Sequence, residues 1–169
     1  MRSQWPPDFL RGADGDPQRR GGTCGQRTNN EDSAMSLAPS VGLAIPERQH
    51  LCEVVQQMLY NASLWNGHRI HFDMPYATEV EGYSGLVVAG PLIGDWLHQV
   101  VDEWLGDAGM ITGIEYSNRV AAFVGETVTA GGTVTAYDPE SGEIRLEVYV
   151  KNDRDEVLAP GVVTARLDP

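Results

Sequence analysis

The segment GPLIGDWLHQVVDEWLG, residues 90–106, most constrains the fold of this chain. Its apolar residues recur every three or four positions, which is the spacing of one face of an α-helix. Seven residues share this face: Leu92, Trp96, Leu97, Val100, Val101, Trp104 and Leu105. Pro91 suits the first helical position and Gly106 suits the stop. Because the apolar face is broad, we expect a well-buried helix with Trp96 and Trp104 in the core.

The second half of the chain has the pattern of β-strands. Residues 110–138 and 143–167 are rich in Val, Thr, Ile and Tyr and alternate with a period of two. Turn sequences such as DPESGE and NDRDE interrupt them, which predicts about four antiparallel strands joined as hairpins. One long buried helix before a run of hairpins predicts an α+β domain with the helix lying on the sheet.

A second helix is predicted within residues 47–65. Its apolar residues share one helical face: Leu51, Val54, Val55, Met58, Leu59 and Ala62. Glu53, Gln56 and Gln57 lie on the opposite side, so the pattern predicts an apolar buried face and a polar exposed one. The stretch that follows, between Gly67 and Pro75, is predicted to be a loop.

Composition limits the domain organisation. The chain has 169 residues, enough for one domain with a core. Residues 1–34 are rich in Gly, Arg, Asp and Asn, and they contain almost nothing that could be buried. We therefore expect a disordered arm at 1–34 and a single domain at 35–169.

Charge and cysteine content exclude several classes of function. The net charge is −12, which makes nucleic acid an unlikely partner because that binding requires Lys and Arg to neutralise phosphates. Cys24 and Cys52 are far apart and support neither a disulfide framework nor a zinc ribbon. No apolar run approaches the roughly 20 residues of a membrane span. We expect a soluble cytoplasmic protein without a membrane partner.

The residues that could carry chemistry are concentrated in one stretch, NGHRIHFDMPYATEVEGYSGLVVAGP. His68 and His71 have a spacing that could serve a metal on a helix, but Gly67 makes a helix improbable there. Asp73 is a poor third ligand without a fourth. We therefore expect no metal site.

Proton transfer suits the same stretch better. His71 can move a proton near neutral pH, and Asn66 can hold one water. The backbone N–H of Gly90 lies where the long helix begins, so it can face a developing oxyanion. These groups suit addition or removal of water across a double bond conjugated to a carbonyl. The alternative is that His68 and His71 are loop histidines bonded to the backbone.

Three blocks resemble one family: HRIHFDMPYA, EGYSGLVVAGPL and FVGETVTAGGTV. They are similar to the MaoC-like hydratase/dehydratase family, most of all to the branch with itaconyl- and mesaconyl-CoA hydratases and type 2 hydroxyacyl-thioester dehydratases. The likeness covers roughly residues 40–168. It implies a hotdog fold, in which an antiparallel sheet wraps around one long central helix. It also implies a homodimer or heterodimer with another hotdog chain, and an acyl thioester of coenzyme A or acyl carrier protein as substrate, with no separate cofactor.

The resemblance also assigns site residues. The family's motif is Asp, any residue, Asn, Pro, any residue, His. His71 falls on the catalytic histidine, whereas Asn66 replaces the aspartate. His68 falls on the asparagine and Arg69 on the proline. His68 is a further catalytic candidate, either as a second proton carrier or, as we expect, as a structural hydrogen-bond partner. Gly90 falls on the glycine whose N–H holds the thioester oxygen. Since an amide cannot take a proton, the family's usual division of work between two groups is not available here.

Further residues are candidates for contacts with substrate: Arg69, Asp73, Tyr76, Tyr83 and Pro91. Asp73 is expected to cap or orient its loop. Tyr76 and Tyr83 are expected to pack in the domain, with the wall of an acyl tunnel as the alternative. Arg69 is also a candidate for the phosphates of coenzyme A, together with Arg119 and Arg154.

Three functions are compatible with these residues. The first is a hydratase/dehydratase of α,β-unsaturated acyl thioesters, a carbon-oxygen lyase. The second is a hotdog thioesterase, although that activity usually needs a carboxylate where Asn66 stands. The third is a non-catalytic or half-catalytic subunit, paired with a hotdog chain that supplies the missing aspartate.

Overall fold

A computed structural model describes residues 39–168, and the arm predicted at 1–34 lies outside them. This part of the chain contains five strands and two α-helices. The strands are β1 Arg48–Leu51, β2 Gly109–Tyr116, β3 Thr127–Tyr137, β4 Glu143–Lys151 and β5 Val157–Leu167. The helices are α1 Val54–Ser63 and α2 Gly90–Leu105, with shorter helical turns at Arg69–His71, Tyr76–Val80 and Gly106–Ala108.

All strand pairs are antiparallel, in the order β1-β3-β4-β5-β2. Helix α2 packs against β2, β3, β4 and β5. On β4 the alternation predicted from sequence is clear, since every second residue from Ile144 to Val150 is buried and the residues between are not. The α+β class and the helix lying on the sheet are confirmed, as are the two hairpins β3–β4 and β4–β5.

Helix α2 confirms the prediction for residues 91–105. It begins at Gly90 and ends at Leu105, and Gly106 follows with a φ of 51°, a left-handed conformation that favours glycine. Trp96 is fully buried in the core. Trp104 is only partly buried and packs against the edge of that core.

The prediction for residues 47–65 was wrong at its start. Residues 48–51 form β1 and pair with residues 127–130 of β3, so the helix begins at Val54. Isolated helix periodicity cannot detect this pairing, because the partner strand lies about 80 residues further along the chain. The predicted buried face was also wrong: Val54 and Leu59 are 54% and 60% exposed, whereas Gln57 is buried.

The stretch predicted as a loop between Gly67 and Pro75 contains a short helical turn at Arg69–His71. A π-helical turn at Tyr76–Val80 follows it. Both turns are too short to give an apolar period that a sequence pattern could reveal. No helix within residues 39–168 is long and apolar enough to cross a membrane.

Candidate active site

His71 ends the turn Arg69–His71, and its side chain is buried. The Nδ1 atom lies 2.8 Å from the carbonyl oxygen of Val87. Because that carbonyl can only accept, Nδ1 carries a proton, and in the neutral imidazole it is then Nε2 that has the free lone pair. The N–H of Val87 in turn donates to the carbonyl of Ile70 at 3.0 Å, so the turn is held against the segment that leads into α2. One histidine nitrogen is thus fixed and the other is available as a base.

Gly90 is the first residue of α2, three residues after the carbonyl that holds His71. The N–H groups in the first turn of a helix have no partner within it and lie at the positive end of the helix dipole. A Cβ atom at Gly90 would collide with the amide of Asn118. A larger residue at this position would therefore have to displace the exposed Asn118 side chain, a polar group beside Gly90 that the motif did not predict.

Asn66 is held at both ends of its side-chain amide. Its Nδ2 donates to Oδ1 of Asn61 at 2.9 Å, and its Oδ1 accepts the backbone N–H of His68 at 3.2 Å. One N–H and one lone pair of Asn66 remain for another partner. That is the capacity needed to orient a single water.

Two buried amides of α1 lie beneath this site, and the sequence interpretation missed both. Gln57 donates to the carbonyl of Val87 and accepts the N–H of Ala89 at 3.0 Å. Asn61 donates to the carbonyl of Gln57 at 2.9 Å. The signal available in the sequence was two amides at positions i and i+4, which lie on the same side of a helix.

Helix α1 is also tied to α2 directly. The hydroxyl of Tyr60 donates to Asp95, one turn into α2, at 2.7 Å. Burial, and secondly this hydrogen bond to the carboxylate, raise the pKa of Tyr60. Tyr60 therefore remains a neutral donor and holds α1 beside the start of α2.

His68 lies at the opening of the same turn and is exposed. Its ring centroid is 5.8 Å from that of His71, and its Nδ1 accepts the N–H of Ile70 at 3.4 Å. This geometry places His68 beside His71 but gives its Nδ1 a partner in the backbone.

Arg69 and Asp73 form an ion pair on the outer side of the turn. The Nε and Nη2 atoms of Arg69 lie 2.9 and 2.7 Å from one oxygen of Asp73. The hydrogen bond from Arg69 holds the pKa of Asp73 below its usual value. The guanidinium also stacks over the ring of Tyr76 at 4.1 Å. Arg69 is therefore already engaged by two side chains of the motif.

The other residues proposed around the substrate have local contacts of their own. Tyr76 donates to Glu81 at 2.8 Å, and Tyr83 packs edge-on against Phe123. Pro91 is exposed in the first turn of α2. Hydrogen bonds through α1 thus connect the surroundings of His71, Asn66 and Gly90.

The two remaining arginines lie outside the motif. Arg119 follows β2 and lies 3.4 Å from the hydroxyl of Ser117, and Arg154 lies in the turn between β4 and β5. Within residues 39–168, no three His, Cys, Asp or Glu side chains are grouped so that they could hold a metal ion.

Comparison with known families agrees with the fold and the motif. Residues 27–124 match the family described as hydroxyacyl-thioester dehydratase type 2, which is more than half of the chain. The chain belongs to this family, and the resemblance to MaoC-like hotdog hydratases is confirmed. It is also similar to a mesaconyl-C(4)-CoA hydratase from Chloroflexus aurantiacus, 59% identical over 34 residues. That match spans 20% of this chain and only 12% of the hydratase.

Solved structures establish the hotdog fold. The chain is similar to an (R)-hydratase from A. caviae involved in PHA biosynthesis, with a TM-score of 0.72 and 19% identity, covering 78% of this chain and 99% of that one. It is also similar to a chain of the ChsH1-ChsH2 complex from Mycobacterium tuberculosis, with a TM-score of 0.69 and 20% identity, covering 78% and 100%. The fold of this chain is therefore a hotdog, an antiparallel sheet curled around one long central helix.

Proposed function

We propose that this chain adds water to, or removes it from, an α,β-unsaturated acyl thioester carried on coenzyme A or an acyl carrier protein. Its membership of a hydroxyacyl-thioester dehydratase family supports the reaction class. The observation that carries the proposal is the bond from Nδ1 of His71 to the carbonyl of Val87, three residues before the start of α2, because it leaves Nε2 available as a base.

In the proposed hydration, Nε2 of His71 takes a proton from water while the water oxygen bonds to Cβ of the substrate. The electrons of the double bond move toward the thioester, whose oxygen gains negative charge. His71 then returns the same proton to Cα, so the imidazole ends as it began. Dehydration follows the same steps in reverse. His71 alone carries the proton in both directions. The mechanism therefore needs no second proton-transfer group, which agrees with the amide at Asn66.

The negative charge that develops on the thioester oxygen needs a hydrogen-bond donor to stabilise it. The N–H of Gly90 is proposed for this role, because it lies at the positive end of α2. Gly90 also has no side chain that would obstruct the approach of the thioester oxygen. Asn66 is proposed to hold the attacking water with the N–H and lone pair that its contacts leave free. The proposed steps involve only the chain, the thioester and one water.

Mass spectrometry tests the reaction class. The full chain is incubated with crotonyl- and mesaconyl-thioesters of coenzyme A, and the products are weighed. We expect each product to gain one water. Release of the free acid would favour the thioesterase, and an unchanged thioester would favour a subunit that needs a partner for catalysis.

Replacing His71 tests the proposed base. His71→Gln keeps a polar side chain but removes the proton acceptor, so the hydration rate should fall by roughly two to four decades. The exposed His98 is the matched control, and His98→Gln should keep the wild-type rate. A folded His71→Gln protein with the wild-type rate would remove His71 from the mechanism.

We also propose that the chain pairs with a second hotdog chain. Strand β2 lies at one edge of the sheet, so its backbone donors and acceptors that point away from β5 are open to pairing. A solved structure with the same fold is a complex of two such proteins. Light scattering should give at least twice the 18.4 kDa of one chain. A stable monomer at micromolar concentration would contradict the pairing.

A further inference from the structure

We propose that Gln57 and Asn61 of α1 are positioning residues that set the orientation of His71 and Asn66. The inference rests on the proposed function, since it concerns the same site. Both side chains are buried although both are polar. Gln57 bonds to the carbonyl that holds His71, and Asn61 bonds to Asn66 itself.

Gln57 joins the histidine to the start of α2. Its Nε2 donates to the same carbonyl, that of Val87, which also accepts from Nδ1 of His71. Its Oε1 accepts the N–H of Ala89, the residue before Gly90. One amide therefore holds the acceptor that selects the tautomer of His71, and also the backbone beside the proposed oxyanion donor.

Asn61 sets the orientation of the side-chain amide of Asn66. The backbone carbonyl of Gln57 can only accept, so Asn61 turns its Nδ2 toward it and presents Oδ1 to Asn66. Asn66 must then present its own Nδ2 to Asn61, and its Oδ1 faces the N–H of His68. The free lone pair and the free N–H of Asn66 consequently point in directions that α1 determines.

A purely structural role is the competing explanation, because buried amides also satisfy backbone groups. The two explanations differ in what a substitution changes. A structural amide affects folding, whereas a positioning amide changes the tautomer of His71 and the chemical step in a folded protein. The tests below therefore measure the folded protein.

The first test compares two adjacent glutamines of α1. Gln57→Met keeps the length of the side chain but removes the donor and the acceptor. We expect kcat of hydration to fall about ten- to a hundredfold, with KM changed less than about threefold, as for a small misplacement of a reacting group. Gln56 is exposed on the same helix, and Gln56→Met should keep the wild-type values.

A second readout needs no substrate. The ¹⁵N chemical shifts of the His71 ring, assigned by their absence in His71→Gln, report which nitrogen carries the proton. The wild type should show the Nδ1–H form, and Gln57→Met a mixture of both forms. If the wild type hydrates no thioester but this shift occurs, the proposed function fails while the positioning role stands. An unchanged tautomer, or an unchanged kcat in an active enzyme, overturns the role of Gln57.

Two more variants complete the test. Gln57→Glu keeps the acceptor for Ala89, so it should fold if Gln57→Met does not, and it should show the same loss of kcat. Failure of both to fold would make Gln57 a structural residue. Asn61→Leu, of similar volume, should lower kcat severalfold without moving the tautomer of His71. Wild-type kcat in folded Asn61→Leu would overturn the role of Asn61.

Discussion

The two α-helices of this chain use the same sequence period in opposite ways. In α2, the apolar residues face the sheet and are almost completely buried. In α1, the apolar residues Val54, Val55, Met58 and Leu59 are all more than half exposed. The face that α1 buries carries Gln57 and Asn61.

The difference follows from what each helix covers. Helix α2 packs on the apolar face of a sheet whose side chains alternate between apolar and polar. The face of α2 that contacts this sheet must therefore be apolar as well. Helix α1 lies over the backbone of residues 87–89, whose carbonyl and N–H groups require hydrogen-bond partners. A helical period therefore identifies a helix, but the chemistry of the surface beneath it decides which face is buried.

The largest expected effect is the loss of core packing in α2. Trp96→Ala removes a side chain that is 1% exposed, and should lower the free energy of unfolding by about 3–5 kcal/mol. Trp65, beside the end of α1, is 94% exposed, so Trp65→Ala should change the free energy of unfolding by about 0.5 kcal/mol or less. Urea denaturation followed by circular dichroism measures both. Equal losses at the two tryptophans would show that the burial of the two regions does not differ.

The helices and strands were predicted most accurately where the local sequence pattern and the tertiary surroundings agree. Helix α2 between Pro91 and Leu105 and the hairpins β3–β4 and β4–β5 were found this way, since each element is one strong period bounded by turn residues. Strand β1 was missed because its four residues continue into the α1 period, and only pairing with β3 separates them.

At the site, the motif led to His71, Asn66 and Gly90, and the structure brings these three into one region. Gln57 and Asn61 were not predicted, because a polar residue on an amphipathic helix is normally exposed. Only the fold shows that the carbonyl of Val87 and the N–H of Ala89 lie against α1, where they take the buried amide of Gln57 as a partner.

A carboxylate at position 66 tests whether α1 has adapted the site to an amide. In Asn66→Asp, one oxygen can still accept from His68, but the other faces Oδ1 of Asn61. That repulsion should turn the side chain away from the position that holds the water, so kcat should fall by roughly tenfold. The double variant with Asn61→Ser, whose hydroxyl can donate, should recover most of the loss.

The opposite result for Asn66→Asp would change the interpretation of the chain. If the single variant hydrated thioesters faster than the wild type, the amide would mark a subunit that lacks its proton-transfer group. Circular dichroism of each variant excludes misfolding as the reason for a loss.

The junction of β1 and α2 should respond to pH. His50 stacks on Trp96 at 4.8 Å, and its Nε2 is buried without a partner among the described residues. Burial, and secondly the charge of Arg48, lower the pKa of His50 to about 4. The unfolded chain binds this proton near pH 6.5, so the free energy of unfolding should decrease as the pH falls from 6.5 toward 4.

His50 is about half buried, so solvent screening reduces this contribution to about 1 kcal/mol between pH 7 and pH 5. His50→Phe keeps a ring against Trp96 but does not titrate. Its stability should therefore fall less over this range than that of the wild type, as measured by urea denaturation at both pH values. Identical pH dependence in the two proteins would show that His50 is protonated equally in the folded and unfolded states.

The smallest effect is expected on the exposed face of α1. Leu59 is 60% exposed and Leu97 of α2 is fully buried, so the same substitution separates the two helices. In a dilute isolated chain, Leu59→Gln should change the free energy of unfolding by about 0.5 kcal/mol or less, because it leaves no cavity. Leu97→Gln buries an amide without a partner and should cost several kcal/mol.

If a second hotdog chain covers α1, the effect of Leu59→Gln should instead grow with protein concentration, since its cost is then a loss of association. Denaturation midpoints measured over a hundredfold range of concentration distinguish the two, and a large loss at Leu59 that does not depend on concentration would contradict the exposure of this face.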